Sequence, residues 1–270
     1  MAGHPVRVSR LMKLGGLVLV AVAAGLVFQG CPSGAVGDAG SATTCLGCHN
    51  GRTAEDMRLF LFSAHKSLAC DVCHIGAEAH VQSGGLGGAL INPASGTFEA
   101  AHAVCATCHQ ETVEQFAVSG HATSRLVNCF DCHDVHSPGK TIGPITNNLL
   151  CRSCHVFDGF QTDAEIEDHT KHPVDPKDTG ASRCTFCHMP PTERTDQEDG
   201  PHDHTFATIP PIESVNAAQE GVDPVPPNSC AGIVGCHDGT VPASPIFDVE
   251  NSAQMTGLQA VFETGYLSSP

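Results

Sequence analysis

The chain has 270 residues, with 12 Phe, one Tyr and no Trp set against 28 Gly, 18 Pro, 15 Cys and 17 His. So few aromatics leave little to anchor a conventional core, and a chain this rich in Cys and His is held together by something besides side-chain packing. Composition excludes collagen, coiled coil, polytopic membrane protein and wholly disordered chain, and the formal net charge of −16 repels phosphate, which argues against a nucleic-acid partner.

Residues 1–30 read as an export signal of the lipoprotein type. Arg7, Arg10 and Lys13 form a basic head, and Leu14 to Phe28 is an apolar stretch too short for a comfortable membrane span. The stretch ends Phe28-Gln29-Gly30-Cys31, which resembles the lipobox of bacterial lipoproteins. That resemblance implies acylation of Cys31 and membrane attachment by a lipid anchor. The alternative is an uncleaved N-terminal anchor, and either way the remainder is expected outside the cytoplasm. Residues 31–44, small and polar, read as a flexible tether. Past residue 30 the balance of ten Lys+Arg against 29 Asp+Glu favours basic partner surfaces.

Six copies of Cys-x-x-Cys-His follow: Cys45/Cys48/His49, Cys70/Cys73/His74, Cys105/Cys108/His109, Cys129/Cys132/His133, Cys151/Cys154/His155 and Cys184/Cys187/His188. This is the attachment pattern for haem c. Two Cys on one helical turn reach the two vinyl groups on one porphyrin edge and form thioethers, and the next residue sets an imidazole under the iron as proximal ligand. A zinc ribbon has no need of a His after every pair, and a disulfide scaffold does not order its cysteines this way. The last pair, Cys230 and Cys236 before His237, is spaced by five residues. It reads as an expanded seventh haem motif, with a disulfide closing a small loop as the alternative. Haem c is therefore expected seven times, or six if Cys230 and Cys236 are bridged.

The motifs pair into two-haem units at 45–80, 102–136 and 151–204, with the seventh site at 230–237, inside a single cytochrome domain over 45–270. Thr53–Phe62 and Glu111–Val118 are expected as amphipathic linking helices and Asn251–Leu267 as a C-terminal helix over haem, while Gly84–Gly88 is linker. A second axial histidine recurs beside the even motifs: His65 and His80, His121 and His136, His169 or His172, and His202 or His204. His102 completes a set of seven if each close pair counts once, and within the pairs His172 and His204 are preferred. Axial Met57 or Met255 lacks support from the repeat, and Met189 stands too close to its proximal His to reach the opposite face. The expected fold is mainly irregular with short α-helices, a closely packed haem chain and little or no β-sheet.

Together the five-residue motifs, their paired spacing and the flanking histidines resemble the multihaem c-type cytochromes of the doubled-motif class, over about Cys45 to His237. The resemblance implies electron transfer in periplasmic or cell-surface respiration. The implied partners are other redox proteins, such as cytochromes and quinol-oxidase-type or terminal-reductase components. Two other readings stay open: a nitrite, hydroxylamine or sulfur-oxyanion oxidoreductase with an open haem at the seventh site, and a subunit of a haem filament or porin-bound conduit. No catalytic residue is assigned.

Overall fold

The computed structural model describes residues 41–49, 58–86, 90–139, 147–175, 180–192 and 201–265. The export signal, Cys31, most of the tether, Met57 and half of the Thr53–Phe62 segment lie outside the described residues. Within them the fold is a succession of short helices without a strand; a single isolated bridge joins Pro191 and His202.

Local sequence starts and stops these helices. The tail of the tether supplies Ser41, whose side chain caps α1 (Ala42–Cys48). Phe60–Phe62 forms one 3-10 turn, and the second motif opens on another at Cys70–Val72. Gly76, at φ 93, turns the chain into α2 (Ala77–Gln82). Thr97 caps α3 (Phe98–Ala106), which leads through the third motif into α4 (Gln110–Ala117). Ser119 caps α5 (Gly120–Ser124), and Asn128 with Asp131 forms a reciprocal capping box on α6 (Cys129–Cys132). The fifth motif ends α7 (Asn147–His155). Thr162 and Glu165 box the start of α8 (Asp163–Thr170), which Lys171 ends at φ 57. The sixth motif is α9 (Cys184–His188). Pro211 occupies the first turn of α10 (Pro211–Gln219), and α11 (Ser252–Gly265) closes the described chain.

Among the described residues, only the C-terminal segment builds a clustered apolar core. Val215, Val225, Ala231, Val249 and Met255 are buried together, with Ile212, Ala218, Phe247 and Leu258 packed against them. Gln259 of α11 accepts a hydrogen bond from the Ile212 backbone N–H at 3.0 Å, tying the two helices at the start of α10. Upstream, buried apolar residues are scattered: Ala77, Ala101, Phe116, Ala122 and Ile166. Large apolar side chains such as Phe62, Val118, Leu126, Leu149 and Phe157 stand exposed there.

Candidate functional site

In the first four motifs the His backbone N–H donates to the carbonyl of the first Cys: His49 to Cys45 at 2.9 Å, His74 to Cys70 at 2.8 Å, His109 to Cys105 at 2.8 Å and His133 to Cys129 at 2.9 Å. Each motif is thus one helical turn, which puts the two sulfurs on one side and the imidazole at its end. The fifth and sixth motifs lie within α7 and α9 and share that geometry.

The seventh motif is a loop, and its extra residues have a structural destination. Ala231 and Ile233 are buried, Ala231 in the C-terminal core. Asn228 Oδ1 accepts from the N–H groups of Cys230 and Ala231, both at 2.9 Å. Gly232 sits at φ +84 with room for no side chain, since a Cβ there would lie 3.0 Å from Pro227 Cα. The expansion is the length needed to dip into that core and return to His237.

Spatial neighbours follow chain order. Cys45 hydrogen-bonds Cys70, and Cys105 hydrogen-bonds Cys129. Burial, then the nearby Cys105 and Cys108, raises the Cys73 pKa; burial, then Asp131 and Cys154, raises that of Cys132. The fifth and sixth motifs are joined through Asn148, which donates to Ser182 O at 3.2 Å and accepts from Cys184 N at 2.9 Å. Burial, then Cys230 and Cys236, pushes Cys187 up to about 12, and Ser229 Oγ donates to Cys187 O at 2.7 Å. Motifs one to seven therefore form one unbranched succession. Cys48 is disulfide-bonded; no other cysteine among the described residues is in a disulfide, so Cys230 and Cys236 are not bridged to each other.

Every motif histidine faces a second histidine. His49 stands opposite His80 with ring centroids 6.2 Å apart, His74 opposite His136 at 6.0 Å, and His109 opposite His65 at 6.1 Å. His133 faces His204 at 6.3 Å, His155 faces His121 at 5.8 Å, His188 faces His169 at 6.2 Å, and His237 faces His172 at 6.1 Å. The spread is half an ångström over seven pairs. Histidine–phenylalanine contacts in the same molecule scatter from 3.9 to 6.2 Å, the ordinary range for aromatic packing. A metal clasped between two imidazoles gives a fixed value instead: two bonds of about 2 Å plus the depth of each ring bring the centroids about 6.3 Å apart.

Several rings are held in the tautomer that frees Nε2. Nδ1 lies within hydrogen-bond reach of a backbone carbonyl in His74 (Ile91 O, 3.2 Å), His172 (Thr170 O, 2.6 Å), His188 (Phe206 O, 3.0 Å), His204 (His202 O, 2.8 Å) and His237 (Pro245 O, 2.9 Å). His155 Nδ1 instead meets the Asp158 carboxylate at 2.7 Å. A donor fixed at Nδ1 leaves Nε2 as the ligating atom and raises its basicity. His121 lacks such an acceptor and is steered by Phe206, whose ring it meets edge-on at 4.4 Å. Burial lowers the pKa of His121, His169 and His204, which favours the neutral form that binds a metal.

His102 is placed differently from the other expected ligands. It is buried in α3 with its ring 3.9 Å from Phe98 and 5.1 Å from Phe116, and its Nε2 has no hydrogen-bond partner. His169 and His172, counted in sequence as one locus, face two different motif histidines. The signal was available: both stand ahead of the sixth motif, whereas His102 occupies no position that the repeat duplicates. His202 reaches Met189 O at 2.7 Å through Nδ1. Met255 is fully buried between the C-terminal helices, where its sulfur accepts from Asn228 Nδ2 at 3.4 Å, so it is core and not an axial ligand.

Two imidazoles at each site, with two thiols at every site but the first, where Cys48 is disulfide-bonded, suit a porphyrin, which brings its own four nitrogen ligands. They do not suit zinc, which takes four ligands from protein, and no cluster of three or more His, Cys, Asp or Glu able to hold a metal ion occurs among the described residues. No helix among the described residues is long and apolar enough to cross a membrane. No family model, curated protein or solved structure matches this chain.

Proposed function

We propose that this chain is a multihaem c-type cytochrome that carries electrons along seven haem c groups, outside the cytoplasm, between other redox proteins. One observation carries the reading: seven motif histidines meet seven other histidines at the near-constant separation that a six-coordinate iron imposes. Haem c would supply a reversible one-electron iron couple at each pair.

The chain's residues do the rest. Paired cysteines would hold each haem covalently, Cys45 alone at the first motif while Cys48 keeps its disulfide, and paired imidazoles would bind each iron. With about 34 residues per site beyond Cys31, neighbouring sites are crowded, and motif cysteines from successive sites approach one another. Tunnelling falls steeply with distance, so the unbranched order supports conduction along the molecule from the first motif to the seventh. His172 opposite His237 supports electron transfer over catalysis, because the two imidazoles together would hold a seventh iron and leave it no place for substrate. An acidic surface suits basic partners, and acylation at Cys31 would tether the domain to a membrane.

Intact mass of the exported protein tests the reading. Seven covalent haems with all ferric iron low-spin are expected; colourless protein, or zinc in place of iron, overturns it. Mapping the haem peptide that contains Cys45 and Cys48 reports whether Cys48 forms a thioether or keeps its disulfide. A Cys31→Ser protein is expected in the soluble fraction, and one that still partitions with membranes excludes the lipid anchor.

A further inference from the structure

Number the motifs one to seven in chain order. The histidine ahead of each even motif faces the next odd one: His65 serves motif three, His121 motif five and His172 motif seven. The histidine after an even motif faces the motif two places back: His136 serves motif two and His204 motif four. Two motifs fall outside this rule. Motifs one and six receive no donor by it.

Those two are the motifs with irregular partners. His80 follows motif two, and the rule gives it nothing to serve; it faces motif one. His169 is additional to the pattern of one histidine before and one after each even motif; it faces motif six. Ring planes separate the same classes. The three forward links are crossed at 86°, 67° and 58°. The two backward links are near-parallel at 22° and 31°, and the two closures are near-parallel at 21° and 7°.

We infer that the axial histidines are exchanged between units by this rule, and that His80 and His169 are the closures that complete the two sites the rule leaves without a donor. The inference rests on the haem reading above and adds the wiring to it. Its structural consequence is that neither site of the middle unit is completed from within: motif three depends on the first unit and motif four on the third. His102 has no place in the wiring and serves as a neutral core residue of α3.

The test uses the full exported holoprotein and electron paramagnetic resonance of the ferric state. Parallel imidazole planes donate into the same iron orbital and give a rhombic low-spin signal. Crossed planes share the donation between two orbitals, leave them nearly degenerate, and give a single very anisotropic signal. His169→Ala is expected to turn one iron in seven high-spin at the expense of a rhombic signal. His172→Ala is expected to turn one high-spin at the expense of an anisotropic signal. His102→Ala is expected to leave all seven low-spin. His169→Met keeps six ligands and is expected to raise the potential of one haem only, which provides a readout if the alanine variant is not recovered. A low-spin His169→Ala protein, a high-spin iron in His102→Ala, a His169→Met protein with unshifted potentials, or loss of the same signal class from the first two variants overturns the wiring. Parent protein carrying seven haems separates these outcomes from failure of the haem reading, which shows as a parent without haem.

Discussion

The segment from Pro211 to Gly265 and the region from Ser41 to Phe206 stand by different physics. In the first, two helices enclose a cluster of buried apolar side chains, and a polar residue at its centre is fully satisfied: Asn228 donates to Ser214 Oγ and the Met255 sulfur and accepts from two backbone N–H groups. In the second, helices of four to nine residues carry scattered buried side chains, and the contacts that recur are cysteine to cysteine and histidine to histidine. Helices that short are not stable on propensity alone. The difference teaches that one molecule uses two kinds of interior, a side-chain core in its C-terminal segment and, on the proposed reading, cofactor sites along the rest.

The sharpest break of that comparison is to make the chain without haem attachment, by blocking export. Amide exchange is then expected to be unprotected throughout 41–206, with protection surviving only in α10 and α11. Equal protection in both regions would show that the upstream helices have a packed interior of their own. The complementary change is Met255→Ala, which leaves a void in the C-terminal core and costs about 2–5 kcal/mol by the usual range for such truncations. Denaturation followed at α10 and α11 should register it, while low-spin signals from the first six sites stay unchanged.

Asn228→Ala is expected to do less to stability and more to the seventh site. It strands the N–H groups of Cys230 and Ala231, at about 1–3 kcal/mol for buried donors left unpaired. The loop that presents His237 should loosen, and the seventh iron alone should become partly high-spin or bind added imidazole. If all seven sites respond equally, the C-terminal core supports the whole array rather than its last member.

Legibility in sequence divides along the same line. The Cys-x-x-Cys-His motifs show in the spacing because their cysteines and histidine fall within one turn. Helices at Glu111–Val118 and Asn251–Leu267 are readable from apolar periodicity and stand as Gln110–Ala117 and Ser252–Gly265. The partnership of His204 with His133, or His172 with His237, could not be read, since each brings together residues dozens of positions apart. Counting one ligand per close pair merged His169 with His172 and drew in His102. The helix ends between them, at the αL residue Lys171, and the two rings face different motifs. The buried destination of Ala231 was likewise hidden, because a five-residue gap looks the same whether it forms a loop or enters a core.

The smallest expected effect concerns how α8 holds His169. Thr162 Oγ1 accepts from Glu165 N at 3.3 Å, and the Glu165 carboxylate accepts in return from Thr162 N at 2.7 Å and from its hydroxyl at 2.8 Å. Thr162→Ala removes the cap at about 1 kcal/mol, and exchange at the start of α8 should quicken while that of α4 does not. The same box has a pH signature. Hydrogen bonds from the Thr162 hydroxyl and backbone hold the Glu165 pKa below its ordinary carboxylate value. A group whose folded pKa is depressed contributes stability that is complete above its unfolded pKa and is lost as pH falls through the lower folded value. Acidification through that window should therefore fray α8 in the parent and do less in Thr162→Ala, where Glu165 has lost its largest hydrogen-bond donor and keeps only backbone ones. Should the two proteins fray alike, the box does not anchor the helix, and His169 is held from its far end, where the ring of Phe160 meets it edge-on at 5.0 Å.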